Sequence, residues 1–250
     1  MRRLRVVPLL LLLPLPALLA GPQAAAQLKP DPPAQPAGWK PGSEARAAAS
    51  GGARIVREFV WGQALEPASG VFRLRAIDRT WGEDPQSRDE LGECLARVEV
   101  PAEKAEYYVR FKHLRRIGKR RPTMGGVMVN HALFGDTELG GPGLFPRLKA
   151  YVAVWGLADV EKNGKVIGRN RSALAWVGQG ARGEDGRWLY EADPEQVTAH
   201  LVVFGSLGHG APLQQTRDGF LHFEWPAAKV IAPGFAHDPA KPASTVAAGK

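Results

Sequence analysis

The chain has 250 residues, a formal charge of +8 and a single cysteine, Cys94. One cysteine excludes an internal disulfide, so the fold must rest on its own apolar core, and a lone thiol of this kind is expected to be buried as a small apolar residue. The charge excludes little by itself until the N-terminus is read.

That N-terminus is "MRRLRVVPLLLLLPLPALLAGPQAAAQ". Arg2, Arg3 and Arg5 precede an apolar run from Val6 to Ala20, and Ala24, Ala25 and Ala26 supply small residues for cleavage. This is the layout of a secretory signal peptide, expected over residues 1–26. The run is shorter than the ~20 apolar residues of a membrane-spanning helix and is broken by prolines. After signal removal no transmembrane segment is expected. The leader carries three arginines and no acid, so its loss takes the charge from +8 to +5. A mature chain this mildly basic gives no reason to expect nucleic acid, and export argues against it. The expected location is periplasmic or secreted.

Residues 27–53 are rich in Pro, Ala and Gly and read as an extended linker. Residues 54–231 read as a single β domain, and residues 232–250 as a disordered tail. Within the domain, "ARIVREFVWG" and "GVFRLRAID" alternate or nearly so. "DPQSRDELGECLA" is the best helix candidate, with Ser87 and Glu90 spaced as a capping box. "ARVEV", "EYYVRFKHL" and "GGVMVNH" continue the strand pattern. Next, "LKAYVAVWGLADV" and "VIGRNRSALAWVG" flank Asn163-Gly164, a strong two-residue hairpin signal. "GEDGR" makes another turn, "DPEQVTAH" holds one helical turn after Asp193, and "VTAHLVVFGS" and "GFLHFEW" complete about nine or ten strands. Turn signals at this spacing predict an all-β, antiparallel fold with little helix. The expected architecture is an immunoglobulin-like β-sandwich, with a lipocalin-like barrel as the alternative.

No catalytic or nucleotide-binding signature is present, and the sequence indicates no cofactor. Three weaker features remain. His222 and Glu224 alternate in "FLHFEW", so on a strand they share a face. With His131, at the end of "GGVMVNH", they form a candidate metal site. His200, in "TAHLVVF", reads instead as a hydrogen-bonded core or rim histidine. The second feature is "RFKHLRRIGKRRP", where Arg115, Arg116, Lys119, Arg120 and Arg121 form a candidate anion-binding loop. Its partner would be an anionic lipid, a glycan or an acidic protein surface, or the acidic run containing Asp89, Glu90 and Glu93. The third is the loop over 130–138, where Asp136 and Glu138 beside His131 could serve a hydrolase or lyase, with Ser206 the nearest nucleophile. Of the tryptophans, Trp39 and Trp81 lie in looser sequence, where either an exposed position or one closing the end of a core is open to them. The reading overall is an exported, non-enzymatic binding or accessory module. A periplasmic metal-binding protein and a hydrolase or lyase are the alternatives.

Overall fold

A computed structural model describes residues 39–58, 62–79, 88–115, 126–133, 147–205, 213, 216–237 and 239. All lie in one unit, Pro33–Lys250; the other unit, Met1–Pro32, lies outside the described residues, and the whole of the expected leader with it. The described part is antiparallel β-sheet throughout: β1 Ser43–Val56, β2 Leu65–Asp78, β3 Glu90–Val100, β4 Ala105–Leu114, β5 Gly126–Leu133, β6 Leu148–Lys162, β7 Lys165–Arg182, β8 Trp188–Val203, β9 Leu221–Trp225, β10 Lys229–Ala232 and β11 Phe235–His237. Among the described residues the only helix is a 3₁₀ turn, Pro101–Glu103.

Apart from β4–β5 and β9–β10, neighbours in sequence are neighbours in the sheet, and β1 pairs with β9 as well as with β2. The sheet therefore closes on itself. Two of its wall strands are interrupted. Tyr107–Leu114 of β4 and Gly126–Leu133 of β5 lie end to end along β6. The Arg115 N–H donates to the Trp155 carbonyl and the Gly126 N–H to the Arg115 carbonyl, so the chain leaves the wall and re-enters it at one point. In the same way β9 and β10 run end to end along β1. Of the two expected architectures, this sequential, closed pairing is that of the up-and-down barrel.

Period-2 alternation dictates what faces inward. Val197, Ala199, Leu201 and Val203 of β8 join Phe72, Leu74, Tyr107, Val109, Phe223 and Trp225 in one core inside the ring. Phe72, Tyr107, Phe223 and Trp225 are sealed from solvent, and each such side chain contributes about 1.5–3 kcal/mol by burial. A smaller apolar cluster, including Met128, Leu133, Leu148, Trp176 and Val202, lies on the opposite face of β5–β8. The outward positions of β1–β4 carry Arg46, Arg73, Arg97 and Arg110 in solvent. On these four strands the pattern is apolar inside and charged outside.

Several expected boundaries move. The linker expected over 27–53 gives way to β1 from Ser43, and Trp39 is buried with its Nε1–H donating to Asp78 Oδ2 at 3.3 Å. Alternation was present in this stretch, but Ala45, Ala47 and Ala49 are the inward residues, and alanine among alanines gives no contrast. The helix expected at 84–96 is instead largely β3. Cys94, Ala96, Val98 and Val100 alternate inward, and ladders to β2 and β4 satisfy the backbone on both sides. The turn after Asp193 is part of β8, at an irregularity opposite Gly180. Beyond residue 231, β10 ends and β11 follows, with Phe235 stacked on Tyr151 at 3.6 Å between ring centroids. The Asn163-Gly164 hairpin forms with φ of 52° and 75°, as a type I′ turn requires.

Candidate functional site

The densest buried chemistry lies outside the ring, on the outward face of β7, β8, β9 and β1. Register places Trp176, His200, Glu224 and Arg54 directly opposite one another on these four successive strands. Facing residues on adjacent strands share a face, so the four side chains form one row. Trp176 stacks flat on His200, with ring centroids 4.3 Å apart and planes 4° off parallel. His200 Nδ1 lies 3.2 Å from His222 Nε2, and His200 Nε2 lies 3.0 Å from Thr198 Oγ1. His222 and Glu224 share the face, as the alternation in "FLHFEW" predicts, and both are buried.

Arg182 completes the group. Its Nε donates to Glu224 Oε2 at 2.8 Å, Nη1 to the Gly186 carbonyl at 2.9 Å and Nη2 to the Gly62 carbonyl at 2.8 Å. Its guanidinium also lies 3.9 Å from the Trp188 ring centre, a cation–π contact. Glu224 Oε1 faces Arg54 at 3.8 Å. One guanidinium thus ties the β7–β8 turn and the segment after β1 to a carboxylate on β9.

Burial sets the electrostatics. It pushes Glu224 up, while Arg182 and Arg54 pull it back. Burial draws Arg182 down, yet a guanidinium does not lose its proton in proteins. Burial first, then His222 and Arg182, hold His200 well below the ordinary imidazole range. His200 is therefore neutral, and one of its ring nitrogens accepts. The Thr198–His200–His222 chain can run in either direction, according to which His200 nitrogen carries the proton.

The proposed metal ligands are not gathered. His131 sits on β5 and is buried, which lowers its pKa to about 4. Beyond Asn130, whose φ of 58° interrupts the pleat, its strand continues to Leu133, so β5 extends into the expected 130–138 loop. Among the described residues, no group of three or more His, Cys, Asp or Glu side chains is placed to hold a metal ion. The Glu224 carboxylate already has a cation in Arg182.

Of the basic residues, Arg115 is described. It stands where the chain leaves the wall, and its Nη1 donates to Ser172 Oγ. Arg116, Lys119, Arg120 and Arg121 lie outside the described residues, as do Asp136, Glu138, Ser206 and Trp81. Two acids considered as internal partners are engaged elsewhere. Asp89 accepts from the Arg79 and Val127 N–H groups, and Glu90 pairs with Arg79.

A second polar cluster joins the start of β4 to the end of β1. Arg57, 3% exposed, pairs with Glu66 at 2.9 Å, Glu103 at 2.7 Å and Asp218 at 3.1 Å. Glu103 also receives Lys162 at 2.8 Å and the Tyr107 hydroxyl at 2.5 Å. Burial raises Glu103, but Lys162, Tyr107 and Arg57 outweigh it and hold the carboxyl at about 2. Burial and Glu103 push Tyr107 up to about 12. Each acid here is matched to a base, so the arrangement joins elements.

Sequence reasoning missed Arg182 and Arg57 as centres of charge. Neither stands in a motif, and their partners lie up to 161 residues away. Comparison with protein-family models, curated proteins and solved structures finds no match. The geometry alone must therefore carry the functional reading.

Proposed function

We propose that the protein is an exported, non-enzymatic binding or accessory module that meets an anionic partner on its outer surface. One observation carries this reading. The ring is filled by its own side chains, Phe72, Tyr107, Leu201, Phe223 and Trp225 among them, so recognition falls to the wall and the loops. The buried cluster around Arg57 supports it, because its acids are paired with bases within the cluster. The expected basic loop fits the same picture. It departs from the middle of the wall at Arg115, beside a β4 strand that already exposes Arg110 and Lys112. An anionic lipid surface is the partner to test first, since a cluster of cations close together in the chain attracts such a surface. Export to the periplasm or beyond follows from the N-terminal reading.

The test is sedimentation with vesicles of mixed neutral and anionic lipid at rising salt. Binding is expected to weaken with salt, and to weaken further in an Arg115/Arg116/Arg120 charge-reversal variant. Equal binding to purely neutral vesicles, or no salt dependence, would overturn the reading.

A further inference from the structure

The outer face of β2, β3 and β4 carries a checkerboard. Register lines up Val71, Arg97 and Tyr108 in one row across the three strands, and Arg73, Leu95 and Arg110 in the next. Strand alternation turns all six outward, because the residues between them, Phe72, Ala96 and Val109, belong to the core. Along each strand and across each pair, a cation therefore stands beside an apolar or aromatic side chain. The three arginines are exposed, Val71 is 38% exposed, and Leu95 and Tyr108 are half-buried. Outward positions across the ring differ: Trp176, His200 and Glu224 on β7, β8 and β9 are buried.

The fold leaves much of this charge unbalanced. Arg73 has Ala48 and Leu95 as its cross-strand neighbours. Arg110 faces Leu95 and Asp159, and Asp159 Oδ1 accepts the Asn170 N–H at 2.9 Å. Among the described residues, neither Arg73 nor Arg110 makes an ion pair. Arg97 lies 5.8 Å from the Tyr108 ring centre and 3.7 Å from Glu106. Beside the two rows, Arg46 and Arg75 share one carboxylate, Glu44, at 2.7 and 2.6 Å. A bulge between Phe111 and His113 leaves Lys112 exposed as well. The acids of β3 and β4, Glu93, Glu99 and Glu106, stand before and beyond the two rows rather than within them.

From this arrangement we infer that the β2–β4 face is the side of the barrel that lies against an anionic lipid surface. The inference rests on the lipid reading proposed above and adds a second contact to it, on paired strands and with no residue of the basic loop. At ~4.8 Å per strand, the Arg73 and Arg110 backbones stand about 10 Å apart, so the two guanidiniums meet separate headgroups. Lipids are free to move to a fixed spacing of cations, whereas a folded acidic partner must already match it. Val71, Leu95 and Tyr108 favour a bilayer over a purely ionic partner, because apolar and aromatic side chains gain by entering the headgroup boundary. The arginine stems lie along the same apolar residues and keep their charged ends at the headgroups.

Sedimentation of the full chain with vesicles of mixed neutral and anionic lipid, at one fixed salt concentration, tests it. Arg73→Gln/Arg110→Gln should weaken binding by about tenfold or more, through loss of two cations from the surface. Arg147→Gln/Arg187→Gln removes the same charge from exposed positions ahead of β6 and β8. It should change binding by less than about twofold, since charges beyond a Debye length from the lipid are screened. Unchanged melting temperatures would show that both variants fold. Equal losses in the two variants would mean that net charge rather than this face governs binding, and would overturn the inference. Tighter binding to soluble polyglutamate than to vesicles, lost in Arg73→Gln/Arg110→Gln, would assign the face to an acidic protein and overturn it too. Binding that falls in the Arg115/Arg116/Arg120 variant but not in Arg73→Gln/Arg110→Gln would overturn this inference alone. No binding by the unaltered chain would overturn the lipid reading with it.

Discussion

Arg182 Nε and Glu224 Oε2 meet at 2.8 Å, with side chains only 3% and 2% exposed. Two opposite charges have been taken out of water together, 42 residues apart in sequence and on non-adjacent strands. Such a pair is costly to break from one side, because the survivor is a buried charge with nothing to balance it.

Glu224→Gln is accordingly expected to destabilise the fold by about 3–5 kcal/mol, and Arg182→Met by a similar amount. The double variant Arg182→Met/Glu224→Leu should lose much less than the sum, since no charge is then stranded. Denaturant unfolding of the three variants measures this. Additive losses would mean that the pair does not act as a unit.

The buried histidines give stability a definite pH dependence. His131 has a folded pKa of about 4 against 6.5 for the free side chain, because burial disfavours its charged form. The unfolded chain therefore takes up this proton first as pH falls. The contribution is fully present above about 6.5 and is lost progressively as pH drops toward about 4, to a total of about 3 kcal/mol. His200 is shifted in the same direction and adds to the loss. Glu224 is shifted upward, so its protonation in the fold works the other way at and somewhat above its ordinary value of 4.5. Unfolding midpoints at pH 7.5, 6.0 and 5.0 should fall in that order, and His131→Leu should flatten the fall. A midpoint that rises between pH 6.5 and 5 would contradict the assignment.

Gly70 is required where β2 approaches β3. A Cβ there would stand 2.1 Å from the Arg97 carbonyl oxygen and 2.8 Å from the Val98 Cα, both backbone atoms that cannot swing aside. The Gly70 carbonyl also accepts the Trp225 Nε1–H at 3.3 Å. Gly70→Ala is expected to cost about 3 kcal/mol, at the upper end of overpacking losses. Gly52→Ala, with nothing within 4 Å of its Cβ, is the control and should change stability by less than about 1 kcal/mol. Thermal melts of the two variants decide the matter.

Much of the β architecture was legible from local chemistry. Asn163-Gly164 specified its hairpin because few residue pairs accept positive φ twice in succession. The period-2 runs marked β2 and β4 because one face of each is buried and the other exposed, and apolar runs marked β8 and β9. "FLHFEW" placed His222 and Glu224 on one face for the same reason, before any partner was known. Where small residues line the interior, as at Ala45, Ala47 and Ala49, the same alternation carried no contrast and was read as linker. A capping-box spacing near β3 was a local preference that ladders on both sides overrode.

The sequence by itself determined that this is an antiparallel β protein, with hairpins at fixed points and one cysteine that cannot cross-link the chain internally. Tertiary structure alone decided that the sheet closes through β1 and β9, because closure is a property of register between segments about 170 residues apart. It also decided the company of each charged group. Arg182 with Glu224 and Arg57 with Glu103 are juxtapositions made by the tertiary fold, and no local pattern encodes them.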